Sequence, residues 1–258
     1  MRIPHSIRRK LDPFFTNIRV PVLGGPNRGM WWCVLSAGGY VMGRRDKGEM
    51  GLLSSLLAPG DIVWDVGAHH GAMTLCASRL VGEKGQVHAF EPSAVNRAVL
   101  DRHIRWNRCR NVRVHPFALS GRDGNDKFGG RGTSRTYALG KGTEVVAVRS
   151  AVTLVRQGIL PPPTFMKIDV EGAEVGVITG AVEILPRDAR LFIEIHSVDN
   201  DEQCSKPLLA LGFQIYASSG LKRTRASGRW DSGCDLFCMG PDHAYRERDA
   251  QSLEFWDF

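Results

Sequence analysis

The chain has no Cys-x-x-Cys pair, no Gly-x-Gly-x-x-Gly turn and no uncharged run long enough to cross a bilayer. Each absence removes a class of function. Cys33, Cys76, Cys109, Cys204, Cys234 and Cys238 lack the paired spacing of a structural zinc site or a redox motif. Cys234 and Cys238 share one face of a strand-like stretch but lie too far apart to bridge without bending it. Free thiols in a reducing compartment are the expectation. The uncharged stretch Met30 to Gly43 is too short for a membrane span, and Gly38-Gly39 interrupts it. Arg8, Arg9 and Lys10 are followed by Asp12, Arg19 and Pro21, so the apolar core of an export signal does not form there. No internal repeat is visible. What is present is an ordinary globular mixture, 43% hydrophobic and 24% charged, which disfavours a disordered chain. The 258 residues carry 34 basic against 27 acidic groups, a net charge of +7. That excess bears on association, with an anionic substrate or nucleic acid as candidate partners, and not on fold.

Residues 1–48 form a poorly patterned lead-in, expected to pack on the core or on the substrate side, and residues 49–258 form the main domain. In the lead-in, Gly24-Gly25-Pro26-Asn27 marks a turn and 30–35 reads as a strand. Met50, Leu53, Leu56 and Leu57 fall at helical spacing, and Pro59-Gly60 ends that helix. Core strands are predicted at 61–66, 86–90, 111–117, 165–169, 191–195, 213–217 and 234–239, with a further strand at 143–148. Helices are predicted at 71–81, 93–106, 173–185 and 206–211, with a helical stretch running up to Gly158. Residues 121–142 hold seven glycines and almost no long apolar run, which predicts a mobile loop. Strands alternating with helices predict an α/β fold: an open, mostly parallel sheet with helices on both faces. The closing strand, loop, strand predicts an antiparallel edge strand. Ligands of such sheets bind at the carboxyl ends of the strands.

The first core strand ends in Asp65-Val66-Gly67-Ala68-His69-His70-Gly71. Gly67 permits a tight turn, and Gly71 lets the next helix pack closely. Of the adjacent histidines, one is expected to line the pocket and the other to face out. The second strand ends in Phe90-Glu91-Pro92-Ser93. Glu91, 24 residues after Gly67, is placed to accept both hydroxyls of a ribose. Pro92 and Ser93 suit a helix entry, with Ser93 as cap. The fourth strand runs into Lys167-Ile168-Asp169-Val170-Glu171-Gly172-Ala173-Glu174. Together with Phe117-Ala118-Leu119-Ser120, Gly180-Ala181 and Ile193-Glu194-Ile195-His196, these segments resemble the FkbM-type S-adenosylmethionine-dependent methyltransferase family, in the family's order, over about Glu49 to His196. Residues 1–45 and 197–258 match little. The resemblance implies a Rossmann-like seven-stranded fold, S-adenosylmethionine as cofactor, and methyl transfer, usually to a hydroxyl of a small molecule or sugar-containing metabolite. It places Asp65, Gly67 and Gly71 at the cofactor's amino-acid end, Glu91 at its ribose, and Phe117 and Ala118 at its adenine. Ala68, His69, Pro92, Ser93 and Asp169 are further cofactor-binding candidates. Where the family often carries Thr-Leu-Asp before the fourth strand, this chain reads Val148-Arg149-Ser150-Ala151-Val152.

Methyl transfer to a hydroxyl needs an in-line approach and a group that takes the proton. At the sheet's carboxyl edge the candidates are Asp169, Glu171, Glu194 and His196. His196 is the natural proton acceptor near neutral pH, and Asp169 would orient the acceptor or the sulfonium. Glu174 is expected on the helix surface. Asp169, Glu194 and His196 also suit a divalent cation, with Asp199 and Asn200 nearby, although no spacing fixes a metal site. Two other readings stand beside this one. A nucleic-acid methyltransferase gains from the net charge and from Lys222, Arg223, Arg225 and Arg229. It lacks the Asn/Asp-Pro-Pro-aromatic segment of base-modifying enzymes, in whose place stands Asp169-Val170-Glu171-Gly172. A dehydrogenase, or a nucleotide-binding module without catalysis, has the missing glycine fingerprint and the clustered strand-end polar groups against it. The expectation is a cytoplasmic biosynthetic enzyme with a small-molecule acceptor and neither a membrane nor a nucleic-acid partner. Nothing in the sequence fixes the oligomeric state.

Overall fold

The computed structural model describes residues 18–34, 36, 38–43, 47–130, 137–217, 222–223 and 235–243. The chain opens with an antiparallel pair, β1 (Arg19–Pro21) and β2 (Trp31–Cys33), then α1 (Gly38–Val41) and α2 (Lys47–Leu56). There follow β3 (Ile62–Val66), α3 (Ala72–Val81), β4 (Gln86–Phe90), α4 (Ala94–Asn107) and β5 (Val112–His115). Next come β6 (Ala118–Ser120), β7 (Gly124–Gly129), β8 (Ala138–Leu139), β9 (Glu144–Ser150) and α5 (Ala151–Arg156). The last third holds β10 (Phe165–Ile168), α6 (Glu174–Thr179), a 3-10 turn (Val182–Ile184), β11 (Arg190–Ile193), α7 (Val198–Ala210), β12 (Gln214–Ala217), β13 (Lys222–Arg223) and β14 (Leu236–Met239).

The main sheet has the order β13-β12-β14-β11-β10-β3-β4-β5. From β5 to β11 every pairing is parallel, and β14 runs antiparallel to both β11 and β12. The reading of a mostly parallel α/β sheet holds, with two differences. The antiparallel strand expected at the edge lies inside the sheet, because all four of its residues are buried and apolar, which suits an interior position. The two-residue β13 pairs outside β12 as an eighth strand. Cys234 and the loop residues Arg225 and Arg229 lie outside the described residues, as do Arg8, Arg9 and Lys10. Among the described residues no helix is long and apolar enough to cross a membrane.

Of the predicted loop 121–142, the described residues 121–130 and 137–142 are not unstructured, and 131–136 lie outside the described residues. The sequence 111–117 breaks at Pro116, and the chain leaves the main sheet to build a second one, ordered β6-β9-β7-β8. Its glycines serve close backbone approach: a Cβ on Gly142 would lie 2.7 Å from the Gly129 Cα. The helix expected at 173–185 stops at Gly180, where a Cβ would lie 2.2 Å from the Ser120 carbonyl oxygen. The helix expected at 206–211 starts eight residues earlier. Ser197 caps it, accepting from the Asn200 amide at 3.2 Å, and Asp199 and Asp201 suit its positive end.

Alternation along the strands sorts the core onto two faces. Val63, Phe165 and Phe192 pack under α2, α3 and Trp32. Trp64, Met166, Ile168, Leu191 and Ile193 pack against α6 and α7. Residue types of period two on strands buried on both faces produce this division. On the first face the next residues in phase are Asp65 and Lys167, which the register sets side by side.

Trp32 ties β2 to the core, stacked on the ring of His103 with centroids 3.9 Å apart. The Cys33 amide donates to His103 Nε2 at 2.9 Å, so Nδ1 carries the proton and donates to the His70 carbonyl at 2.7 Å. Only the neutral ring makes both bonds, and burial lowers its pKa to about 4. The folded value lies below the ordinary 6.5, so the unfolded chain takes up this proton first and stability falls as pH drops from about 6.5 to about 4. His88 and His115, also lowered to about 4 by burial, act in the same sense. The expected result is that the melting temperature falls across this window and that His103→Gln, which keeps a donor and an acceptor, flattens the fall. Parallel curves for the two proteins, measured by circular dichroism, would contradict it.

Candidate functional site

The ends of β3, β4, β10 and β11 meet around one cleft. Its floor is the turn after β3. The Gly67 and Ala68 amides both donate to the Phe90 carbonyl at 3.1 Å, and the Asp169 amide donates to the Val66 carbonyl at 3.0 Å. Gly67 has φ +82, and a Cβ there would lie 1.8 Å from the Asp169 carbonyl oxygen. Only glycine lets the two loops touch in this way. A Cβ on Gly71 would fall 2.3 Å from Leu100 Cδ1, so Gly71 admits the close contact between α3 and α4.

Beneath the turn lies a buried charge cluster. Lys167 is 4% exposed and Asp65 is 1% exposed. The lysine Nζ donates to Asp169 Oδ2 at 3.1 Å and sits 3.8 Å from Asp65 Oδ1. Asp65 Oδ2 accepts from the Thr74 hydroxyl at 2.5 Å. Burial would lower the lysine pKa, but Asp169, Asp65 and Glu49 hold it above its ordinary value, so the ammonium stays charged.

Glu91 opens onto the cleft from the end of β4. Its Oε1 accepts from the Ser93 amide and its Oε2 from the His69 amide, both at 2.8 Å. Burial raises its pKa while those amides and the Asn96 side chain oppose the rise. His69, with φ +49, and Glu171, with φ +53, are two non-glycine residues in the left-handed region, and both border the cleft. His69 and His70 stack with centroids 3.8 Å apart, and both line the cleft. The expectation of one facing in and one facing out fails because the positive φ at His69 breaks the alternation.

At the far end, His196 follows β11. Its Nδ1 meets Glu174 Oε1 at 2.8 Å, and its Nε2 faces Glu171 at 3.6 Å, Glu194 at 3.7 Å and Asp169 at 3.9 Å. The hydrogen bond to Glu174 and the charges of Glu174, Asp169 and Glu194 raise its pKa to about 9 against the opposing effect of burial. Burial, then Asp169, pushes Glu194 up to about 7. Burial and Asp169 likewise push Asp235 up to about 6. Glu194 therefore has its midpoint near neutrality, and His196 holds its proton more readily than an ordinary imidazole. Among the described residues, Asp169, Glu171 and His196 offer atoms within 4.8 Å of one another, enough to reach a common cation. Glu171 takes the place that the sequence gave Glu194 in that set. Asp199 is exposed, and Asn200 instead bonds Glu174 at 2.6 Å.

Of the residues picked from the sequence, Gly67, Ala68, His69, Gly71, Glu91, Pro92, Ala118, Asp169, Glu171 and Glu194 line the cleft. The others adjoin it. Asp65 holds Lys167. Ser93 caps α4 and donates to Glu91. Phe117 packs on Phe90 at 5.7 Å. His196 braces the carboxylates. Glu174, expected on a helix surface, is fully buried because three donors satisfy it. The sequence reading missed Trp32, Tyr40, Glu49, Phe128, Tyr137 and Leu139, brought to the cleft by the lead-in, α2 and the second sheet. Lys167 did carry a signal: a charge inside an otherwise apolar four-residue strand has to be paired.

The lining fits the cofactor that the sequence resemblance implies. Gly67 keeps the floor clear of side chains, and Glu91 presents a carboxylate to the cleft where the resemblance expects a ribose. Five carboxylates, Glu49, Glu91, Asp169, Glu171 and Glu194, face the cleft, and Lys167 is the only lysine or arginine among the described residues that line it. The lining therefore favours a cation, against the chain's net charge of +7. Gly67→Ala is expected to leave a folded protein and abolish binding of S-adenosylhomocysteine, because its Cβ drives the β3 and β10 loops apart. Wild-type affinity in a fluorescence titration would place the pocket elsewhere.

Several known proteins are similar to this chain. The hexuronic acid methyltransferase AglP of Haloferax volcanii is 28% identical over 172 residues, which cover 63% of this chain and 68% of that protein. Among solved structures, the FkbM methyltransferase of Methylobacillus flagellatus aligns with a TM-score of 0.49 at 19% identity, over 72% of this chain and 47% of that one. A SAM-dependent O-methyltransferase of Thermotoga maritima aligns with a TM-score of 0.49 at 14% identity, over 78% and 66%. The Methyltransferase FkbM domain matches residues 65–217. With more than half of its length inside that match, the chain belongs to the FkbM methyltransferase family.

Proposed function

We propose that this protein transfers a methyl group from S-adenosylmethionine to a hydroxyl of a small molecule or sugar-containing metabolite. The observation that carries the reading is the acidic cleft in a basic chain. A sulfonium cation gains from this acidic lining, whereas the pyrophosphate of a dinucleotide or the backbone of a nucleic acid would be repelled by it. The relative named for hexuronic acid supports a sugar as the class of acceptor.

When bound, the cofactor supplies an electrophilic methyl group. The protein's part is positioning and proton transfer. Glu91 accepts the ribose hydroxyls. Asp169, fixed by Lys167, orients the groups that meet at the strand ends. Glu194 takes the acceptor's proton on its carboxylate, since its midpoint is matched to neutral pH. His196 donates from Nε2 and stabilises the developing negative charge on the acceptor oxygen.

The test is transfer of label from methyl-labelled S-adenosylmethionine to a panel of neutral sugars, uronic acids and glycosides. Activity should rise with pH through about 7 as Glu194 ionises and fall above about 9 as His196 loses its proton. Glu194→Gln should remove the rising limb and lower kcat about 10²–10⁴-fold. An unchanged profile in that variant would move the base elsewhere, and no transfer to any hydroxyl would overturn the reading.

A further inference from the structure

Glu174 opens α6, a position where a carboxylate normally faces water, yet it is 0% exposed. A buried carboxylate must be partnered. Its Oε1 accepts from the Gly172 amide at 2.8 Å and meets His196 Nδ1 at 2.8 Å, and its Oε2 accepts from Asn200 Nδ2 at 2.6 Å. The Gly172 and Asn200 bonds tie the loop after β10 to α7. The His196 bond has a different consequence. An imidazole ring is free to turn unless one nitrogen is held. With Nδ1 held from behind, Nε2 is left facing Asp169, Glu171 and Glu194 at 3.6–3.9 Å, none of them close enough to capture it.

We propose that Glu174 is the positioning residue of the site, a buried carboxylate that keeps the proton on His196 Nδ1 and turns Nε2 toward the end of the cleft where the acceptor is handled. Its catalytic consequence rests on the methyltransferase reading, but the pairing itself does not. The groups around the ring are Glu174 from α6, Asp169 and Glu171 after β10, Glu194 after β11 and Asp235 before β14, with Lys167 as the cation behind Asp169. Asp201 and Cys204 reach the cluster from α7. Of these carboxylates, Glu174 is the one that hydrogen-bonds the ring among the described residues.

The experiment is ¹⁵N-histidine NMR of the full-length protein, free and with S-adenosylhomocysteine. In the wild type Nδ1 should carry the proton whenever the ring is neutral. Glu174→Gln keeps the side-chain shape and removes the charge. It should move part of that proton to Nε2 and lower kcat at least about tenfold, with S-adenosylhomocysteine affinity retained. Asn200→Ala loosens the link to α7 without touching the ring and should keep the wild-type tautomer. Glu174→Asp should restore the wild-type tautomer in part. A wild-type ring with its proton on Nε2, or the same tautomer populations in wild type and Glu174→Gln, would overturn the proposal. The wild-type spectra decide even where a variant fails to fold. Lack of S-adenosylhomocysteine binding would count against the methyltransferase reading and leave the pairing standing.

Discussion

A lysine buried in the middle of the sheet fixes the geometry of everything around it. Lys167 lies on β10, in register with Asp65 on β3, and reaches forward to Asp169 at the mouth of its own strand. Leaving such a charge unpaired costs on the order of 3–5 kcal/mol, so the three residues hold two strand ends in fixed relation. That relation brings the Asp169 carbonyl against Gly67, where any side chain would collide. The floor of the cleft and the Asp169 carboxylate at the end of β10 are thus set by one cluster.

The same cleft resolves the contrast between a basic chain and an acidic site. Charge summed over the chain describes what the surface attracts, whereas the lining describes what the cleft retains. Here the two have opposite sign. The lining also arranges its carboxylates unequally. Glu91 is held by backbone amides, Asp169 by a lysine, and Glu194 by neither, so burial and its neighbours lift Glu194 toward neutrality. The same side-chain type thus stands in one cleft under three different sets of partners.

Much of this was legible in the sequence where local pattern and function coincide. The alternation of 61–66, 86–90 and 165–169 with helical segments gives the parallel core, and the motifs at Gly67, Glu91 and Asp169 sit at strand ends as such folds require. What escaped depends on contacts distant in sequence. Residues 121–142 read as a loop because their glycines suggest freedom, although they enable strand-to-strand contact in the second sheet. Glu174 read as a surface residue because its partners His196 and Asn200 lie more than twenty positions away. Phe128 and Tyr137 reach the cleft only through that second sheet, so no local period marks them. The placement of β14 between β11 and β12 likewise follows from its full burial, which a four-residue run cannot announce.

The central claim is that the turn at Gly67 and the carboxylate of Glu91 hold S-adenosylmethionine and not another nucleoside cofactor. Isothermal titration of the purified protein with S-adenosylhomocysteine and, separately, with NAD tests it most directly, because both ligands carry a ribose diol and only one carries a pyrophosphate. The account predicts one molecule of S-adenosylhomocysteine bound per chain and no heat of binding with NAD. Binding of NAD, or of neither ligand, would contradict it.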